Sequence, residues 1–282
     1  MTPEGARKHE SLDVTIVGAG AAGVGVGAVL ADLGLDSYAI LERDDVGASF
    51  QQWPEEMRLI TPSFPGNNFG CRDLNAITTD TSPAFAFDRE HPTGGEYAEY
   101  LRGVVKFHDL PVRTEVEVES VQRHEDGFVL HTPTGVIHSR FVVWAAGQFG
   151  QPNDDPFPGA SHCVHNSRIG SWNAFANERV EDPIVIVGGY ESGIDAALAL
   201  ADLGHEALVV DEEGPSVVCD TESASARDWI RKRTRSRQRP LRIRERPAPA
   251  DRTGRVDHHI WPVPRLLQRG AASHEPHTVG HK

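Results

Sequence analysis

The sequence predicts an α/β protein in which one parallel strand–turn–helix–strand unit occurs twice. Three observations predict it. A short apolar, β-branched run, Asp13-Val14-Thr15-Ile16-Val17, ends in a glycine cluster, Gly18-Ala19-Gly20-Ala21-Ala22-Gly23, and small apolar residues continue to Gly34. The same order returns at residues 183–187, at Gly188-Gly189-Tyr190-Glu191-Ser192-Gly193, and over 194–203 up to Gly204. In both copies the next apolar run closes on a carboxylate, Glu42 after 37–41 and Asp211 after 206–210.

The elements follow in order. Residues 13–17 read as a buried parallel strand, 24–33 as a helix and 37–41 as the second strand. Residues 43–95 hold Pro54, Pro62, Pro65, Pro83 and Pro92 and are too long for a plain connection, which favours an insertion covering a bound group. A helix is predicted over 96–106 behind Gly94-Gly95. Alternating apolar and polar residues predict an antiparallel layer from 112–121, 127–132 and 135–138, with Glu115, Glu117 and Glu119 on its solvated face. Residues 141–147 read as a buried strand ending at glycine, and 151–159 as a connection rich in Pro and Asp.

The formal net charge of −13 is unevenly spread. Residues 1–214 carry 13 basic and 34 acidic side chains, a net −21, whereas 215–282 carry 15 basic and 7 acidic, a net +8. The acidic excess repels phosphate and argues against nonspecific nucleic-acid binding by the first part. Lys8 and Lys106 are its only lysines, a pattern suited to concentrated salt, where repulsion is screened within about 3 Å at 1 M. A halophilic source is therefore expected. Cys71, Cys163 and Cys219 form no C-x-x-C pair, and residues 1–11 have no signal-peptide pattern, so a reducing cytoplasm is expected. Five glycines between 18 and 27 argue against a membrane span there.

Gly18-x-Gly20-x-x-Gly23 lies between a strand and a helix, with Glu42 nineteen residues beyond Gly23. This is the complete fingerprint of a Rossmann-like site for an ADP moiety. Gly18 allows the tight turn, Gly20 admits a diphosphate to the backbone, and Gly23 lets helix and strand approach. The diphosphate meets the helix N-terminus near Ala22, and Glu42 accepts from ribose hydroxyls. In the second turn, Gly188, Gly189, Glu191, Ser192 and Gly193 are the candidate binding residues, with Tyr190 in the place of the middle glycine. Asp211 would repel a 2′-phosphate, which favours NADH over NADPH.

With these motifs the chain resembles the two-dinucleotide-binding flavoproteins, the group of flavin-containing monooxygenases and thioredoxin-reductase-like enzymes. The resemblance runs from about Asp13 to Asp211 and includes Glu42-Arg43, Val46-Gly47-Ala48-Ser49-Phe50, Trp53 and Val143-Trp144-Ala145-Ala146-Gly147. It implies FAD on the first unit and NAD(P)H on the second, with hydride passing from nicotinamide C4 to flavin N5. It places Ser49, Gln51, Gln52 and Trp53 toward the flavin, Arg43 beside Glu42 among the cofactor-binding residues, and Ala146, Gly147 and Gln148 at the chain's crossing. Trp53 reads equally well as a core aromatic. The absent C-x-x-C pair departs from the disulfide reductases of the group. Phe157-Pro158-Gly159-Ala160-Ser161-His162 partly matches the monooxygenase linker, its histidine one residue early. His162, Cys163 and His165 lack a further ligand at regular spacing, so no metal site is assigned.

After Gly214 the pattern stops. Residues 215–282 contain no Phe, Tyr, Met or Asn, and ten of the twenty residues 227–246 are Lys or Arg. The returning segment with a Gly-Asp pair that the resemblance implies is not found there. A basic disordered nucleic-acid-binding arm, an extension with a local partner, and a shifted reading frame that truncates the folded protein all fit; the frame shift accounts best for the joint change in charge, aromatic content and periodicity. The expected organisation is an FAD-binding domain over 1–150, a connection over 151–180, a partial inserted NAD(P)-binding Rossmann domain over 181–214 and a disordered or out-of-frame tail over 215–282. The expected activity is FAD-dependent, NAD(P)H-oxidising and monooxygenase-like; a catalytically inactive fragment and a reductase without a C-x-x-C pair are the alternatives. The substrate is an unidentified small molecule, a homodimer stays open, and catalytic residues are not assigned.

Overall fold

The computed structural model describes residues 8–63, 73–148, 150–153, 155–178, 183–189, 191–211 and 242–245. Cys71, Tyr190, Cys219 and, apart from four residues, the tail over 215–282 lie outside them. The chain divides into two compact units at Glu181 and Asp182.

The first unit is built on a six-stranded sheet of order β3-β2-β1-β6-β5-β4, from β1 (Lys8–Val17), β2 (Tyr38–Leu41), β3 (Val112–Arg113), β4 (Ser120–His124), β5 (Gly127–Thr132) and β6 (Gly135–Trp144). β1 pairs in parallel with β2 and β6, and β2 with β3; β4, β5 and β6 form the antiparallel layer. β6 therefore serves both parts. Its first half pairs with β5, while its whole length follows β1 from Lys8↔Gly135 to Val17↔Trp144. That pairing makes β1 five residues longer at its start than the apolar run predicts.

Two further expectations are corrected. Residues 114–119 are not a strand: Glu115 has φ 58°, and the amides of Glu115 and Val116 donate to the carbonyls of Asp44 and Glu42 instead of continuing a ladder. The glutamates are nonetheless exposed, while Val116 and Val118 pack on a core of Val17, Leu41, Leu130 and Ile137. The strand over 141–147 is not fully buried either, since Phe141 and Trp144 are 59% and 64% exposed.

Helix α1 (Ala21–Asp32) and helix α4 (Gly94–Phe107) build the main core with the sheet; the short helices α2 (Ala48–Gln51) and α3 (Pro83–Phe87) lie in the insertion, and α5 (Trp172–Asn177) follows the connection. α4 starts earlier than Gly94-Gly95 would predict, because Thr93 and Glu96 form a reciprocal capping box that supplies two amide partners. Its buried side chains Tyr97, Leu101 and Val104 meet Ile16, Val24 and Ile40. Burying a side chain such as Leu101 contributes about 1.5–3 kcal/mol.

The second unit holds β7 (Ile184–Val187), α6 (Glu191–Asp202), β8 (Ala207–Asp211) and β9 (Arg242–Glu245), with parallel order β7-β8-β9. α6 buries Ile194, Ala197 and Leu198. β9 pairs Leu208↔Arg242 through Asp211↔Glu245 and supplies the only described residues beyond Gly214.

Candidate functional site: two glycine turns

The first turn sits where β1 gives way to α1, at the carboxyl ends of the parallel strands. Gly18 has φ +104°, a conformation that costs glycine little and L-residues much. A Cβ there would run into the carbonyl of Ala145, so the end of β6 lies directly against the turn. A Cβ on Gly23 would overlap the carbonyl oxygen of Gly18 and stand 3.4 Å from Ile16 Cγ2. Gly20 differs: a Cβ there would meet none of the described residues within 4 Å. One glycine thus serves the turn and one the helix contact, while the third borders open space.

That space faces a helix start suited to an anion. Gly20 is the N-cap of α1 and brings no side chain to the first-turn amides, and this turn has no acidic residue. Glu42 is fixed beside it, accepting from the Ala19 amide at 2.7 Å through Oε2 and from the Asp44 amide at 3.0 Å through Oε1. A carboxylate has lone pairs beyond these two bonds, which leaves acceptor capacity for hydroxyl groups. The donor set and the open space at Gly20 fit the ADP part of FAD.

The other predicted residues are placed around this turn unevenly. Gly47, with φ +73°, donates to the Ala19 carbonyl at 3.0 Å and so ties the start of α2 to the turn. Ser49, Gln51 and Gln52 are exposed on or just after α2, with Gln51 against Arg102. Trp53 instead packs on Phe50 at 5.2 Å between ring centres, and Phe50 on Tyr97 at 4.8 Å. Arg43 is exposed and bonds Asp44 at 3.2 Å. Ala145 donates to Val17 at 2.8 Å, and Ala146, Gly147 (φ +75°) and Gln148 follow in exposed backbone. Gly47 is not among the binding residues that the sequence marks, although it lies within the Val46-to-Phe50 segment that carries the resemblance. Cys163 is exposed, and His165 caps its own turn through Nδ1, accepting from the Ser167 amide.

The second unit repeats the first turn's geometry. Gly188 has φ +105°, and a Cβ on Gly193 would overlap the Gly188 carbonyl oxygen and stand 3.5 Å from Ile186 Cγ2. The Gly188 amide donates to Val210 at 2.9 Å, as Gly18 donates to Leu41 at 2.8 Å. Glu191 and Ser192 are exposed in the first turn of α6, and Asp211 closes β8 as Glu42 follows β2. Gly189 precedes Tyr190.

Glu56 and the connection form a second polar feature of the first unit. Its carboxylate accepts from Ser171 Oγ at 2.6 Å and from the amides of Trp172 and Asn173 at 2.9 and 3.0 Å, capping α5. Burial pushes this carboxyl up, but these hydrogen bonds outweigh burial and hold it below the usual glutamate value.

Two strand–glycine turn–helix–strand units of matching geometry define a protein of the two-dinucleotide-binding class. The family model described as pyridine nucleotide-disulphide oxidoreductase matches residues 15–247, and the chain belongs to that family. An uncharacterized CzcO-like oxidoreductase of Geobacillus kaustophilus is 26% identical over 195 residues, covering 68% of this chain and 52% of the relative. An uncharacterized oxidoreductase, CzcO, of Bacillus subtilis is 25% identical over 201 residues, covering 67% of this chain and 52% of the relative. The chain thus spans about half the length of these relatives. Among solved structures, the bacillithiol disulfide reductase of Staphylococcus aureus superposes with a TM-score of 0.63 at 23% identity, over 84% of this chain and 67% of its own. A flavin-containing monooxygenase of Stenotrophomonas maltophilia gives 0.62 at 20% identity, over 85% and 71%. These two likenesses show the fold. Among the described residues, no helix is long and apolar enough to cross a membrane.

Proposed function

We propose that the first unit binds FAD, that the second binds a nicotinamide dinucleotide, and that the chain is an NAD(P)H-oxidising flavoprotein of the monooxygenase-like branch. The observation that carries this is the open space at Gly20 between Glu42 and an uncapped α1, with the same turn geometry at Gly188 and Gly193. When bound, the flavin supplies a hydride acceptor that can pass electrons on to oxygen or another acceptor. The chain's own residues bind and orient. The first-turn amides of α1 hold the diphosphate, and Glu42, kept in place by two backbone amides, accepts from the ribose. In the second unit the amides at Glu191 and Ser192 take the corresponding part, and Asp211 favours NADH over NADPH by repelling a 2′-phosphate.

The monooxygenase-like reading is supported by the partial linker match over 157–162 and by a sequence without a C-x-x-C pair. The test is optical. Full-length protein mixed with FAD and separated from free flavin retains flavin absorbance, and anaerobic NADH bleaches it. A colourless protein that added FAD does not restore favours the inactive fragment. Retained flavin that neither NADH nor NADPH bleaches removes the assignment of the second unit.

A further inference from the structure

The correspondence between the two units extends beyond the turns to a third strand. The Gly18 amide donates to the Leu41 carbonyl and the Gly188 amide to the Val210 carbonyl, which makes Leu41 and Val210 equivalent and puts Glu42 level with Asp211. β2 pairs in parallel with β3 at Ile40↔Val112 and Leu41↔Arg113, and β8 pairs in parallel with β9 at Val209↔Ile243 and Val210↔Arg244. Val112-Arg113 and Ile243-Arg244 therefore occupy the same place in the two units. The second ladder runs one residue further, to Asp211↔Glu245. Thirty residues separate β8 from β9, enough for the crossover that parallel neighbours need, and the family match continues through β9 to residue 247.

In the first unit the third strand fixes the main chain around the ribose acceptor. The Ile40 and Glu42 amides donate to the carbonyls of Pro111 and Arg113 at 3.0 and 2.9 Å, and just past β3 the Val116 amide donates to the Glu42 carbonyl at 2.8 Å. Glu42 is thus held through its amide and its carbonyl from the β3 side, while its carboxylate is free to face the turn and accept from the Ala19 amide. The matching register gives β8 the same alternation. The Asp211 amide donates to the Arg244 carbonyl, and the Arg244 amide donates to the Val209 carbonyl. Without β9, the last residues of β8 would form an unpaired edge, and strand ends of that kind open at little cost.

On the reading of the second unit as the nicotinamide site, we propose that β9 is its positioning strand: the Arg244 backbone holds Val209 and Asp211 and so sets Asp211 at the ribose, as β3 sets Glu42. A segment of the basic tail is thereby drawn into the site. Residues 242–245 then belong to the native chain and not to an out-of-frame run. The dinucleotide most affected is the one with a free ribose 2′-hydroxyl, because that hydroxyl is what a carboxylate at this position accepts from.

Arg244→Pro and Arg244→Ala in the full-length chain test this, since proline removes the ladder amide and alanine keeps it. In Arg244→Pro, hydrogen-exchange protection of a peptide covering 207–211 is expected to fall about tenfold, the effect of one net ladder bond. NADH affinity is expected to fall about tenfold and NADPH affinity less, so the preference for NADH narrows. FAD affinity and the protection of α6 stay at wild-type values, and Arg244→Ala matches the wild type in every readout. Wild-type protection over 207–211 or an unchanged NADH-to-NADPH ratio in Arg244→Pro, the same losses in Arg244→Ala, or parallel loss of protection in α6 would each overturn the role of β9 while leaving the second unit's ligand in place. A wild-type chain that binds neither NADH nor NADPH would instead remove the nicotinamide assignment itself, and the role of β9 with it.

Discussion

Replacing Gly20 by alanine separates binding from folding at the first turn. Gly20 has φ −80° and ψ −170°, extended values open to any residue, and its added methyl group meets no atom of the described residues within 4 Å. Alanine gains about 0.4–1 kcal/mol by restricting the unfolded chain and gives back a similar amount as a poorer N-cap, so stability should change by less than about 0.5 kcal/mol. The same methyl stands where a diphosphate would approach the backbone. Crowding of this kind costs about 1–3 kcal/mol, or roughly 5- to 150-fold in affinity. Gly23→Ala is the opposite case, because its methyl collides with the Gly18 carbonyl and the backbone must shift. A cost of about 3 kcal/mol lowers the melting temperature by roughly 6–12 °C. Calorimetric melting paired with FAD titration reads both effects. Wild-type FAD affinity in Gly20→Ala, or a melting loss matching that of Gly23→Ala, would refute the reasoning.

Three other outcomes are expected. Glu56→Gln removes charge from the α5 cap and lowers stability by about 1 kcal/mol at neutral pH. Because the folded carboxyl lies below its ordinary 4.5, this stabilisation is present above that value and disappears as pH falls through the folded value; melts at neutral pH and near pH 3 should show the gap closing, and a constant gap would contradict it. Asp211→Asn should bring NADPH and NADH affinities about tenfold closer, the effect of about 1.4 kcal/mol of charge interaction, read by nicotinamide fluorescence; an unchanged ratio counts against Asp211 as the selector. Dialysis from about 1 M salt to about 0.01 M lengthens the Debye length from about 3 to about 30 Å and should lower the melting temperature of so acidic a chain, whereas indifference to salt would remove the halophilic reading.

The glycine turns were legible because their geometry depends on local spacing. Gly18 and Gly23 each do in the structure what a strand–turn–helix junction requires, by positive φ and by close helix–strand approach, and Gly188 and Gly193 repeat them; the role read for Gly20 belongs to the bound group. Thr93 and Glu96 were legible in principle as a capping box, since their partners are three residues apart. Other features depend on residues far apart in sequence. The first residues of β1 are polar and join the sheet only through pairing with β6 more than a hundred positions away. The amides of Glu115 and Val116 leave the alternating pattern because the carbonyls of Asp44 and Glu42 are available to them. Glu56 caps a helix 115 residues downstream, a partnership that no local window contains.

Calorimetric titration of FAD into the flavin-free full-length chain tests the central claim most directly. Binding of one FAD per chain, weakened in competition by ADP and lost in parallel with the Gly20→Ala affinity change, is the predicted result. Absence of binding heat, or FAD binding that ADP does not displace, would contradict a dinucleotide held at the Gly18-to-Gly23 turn.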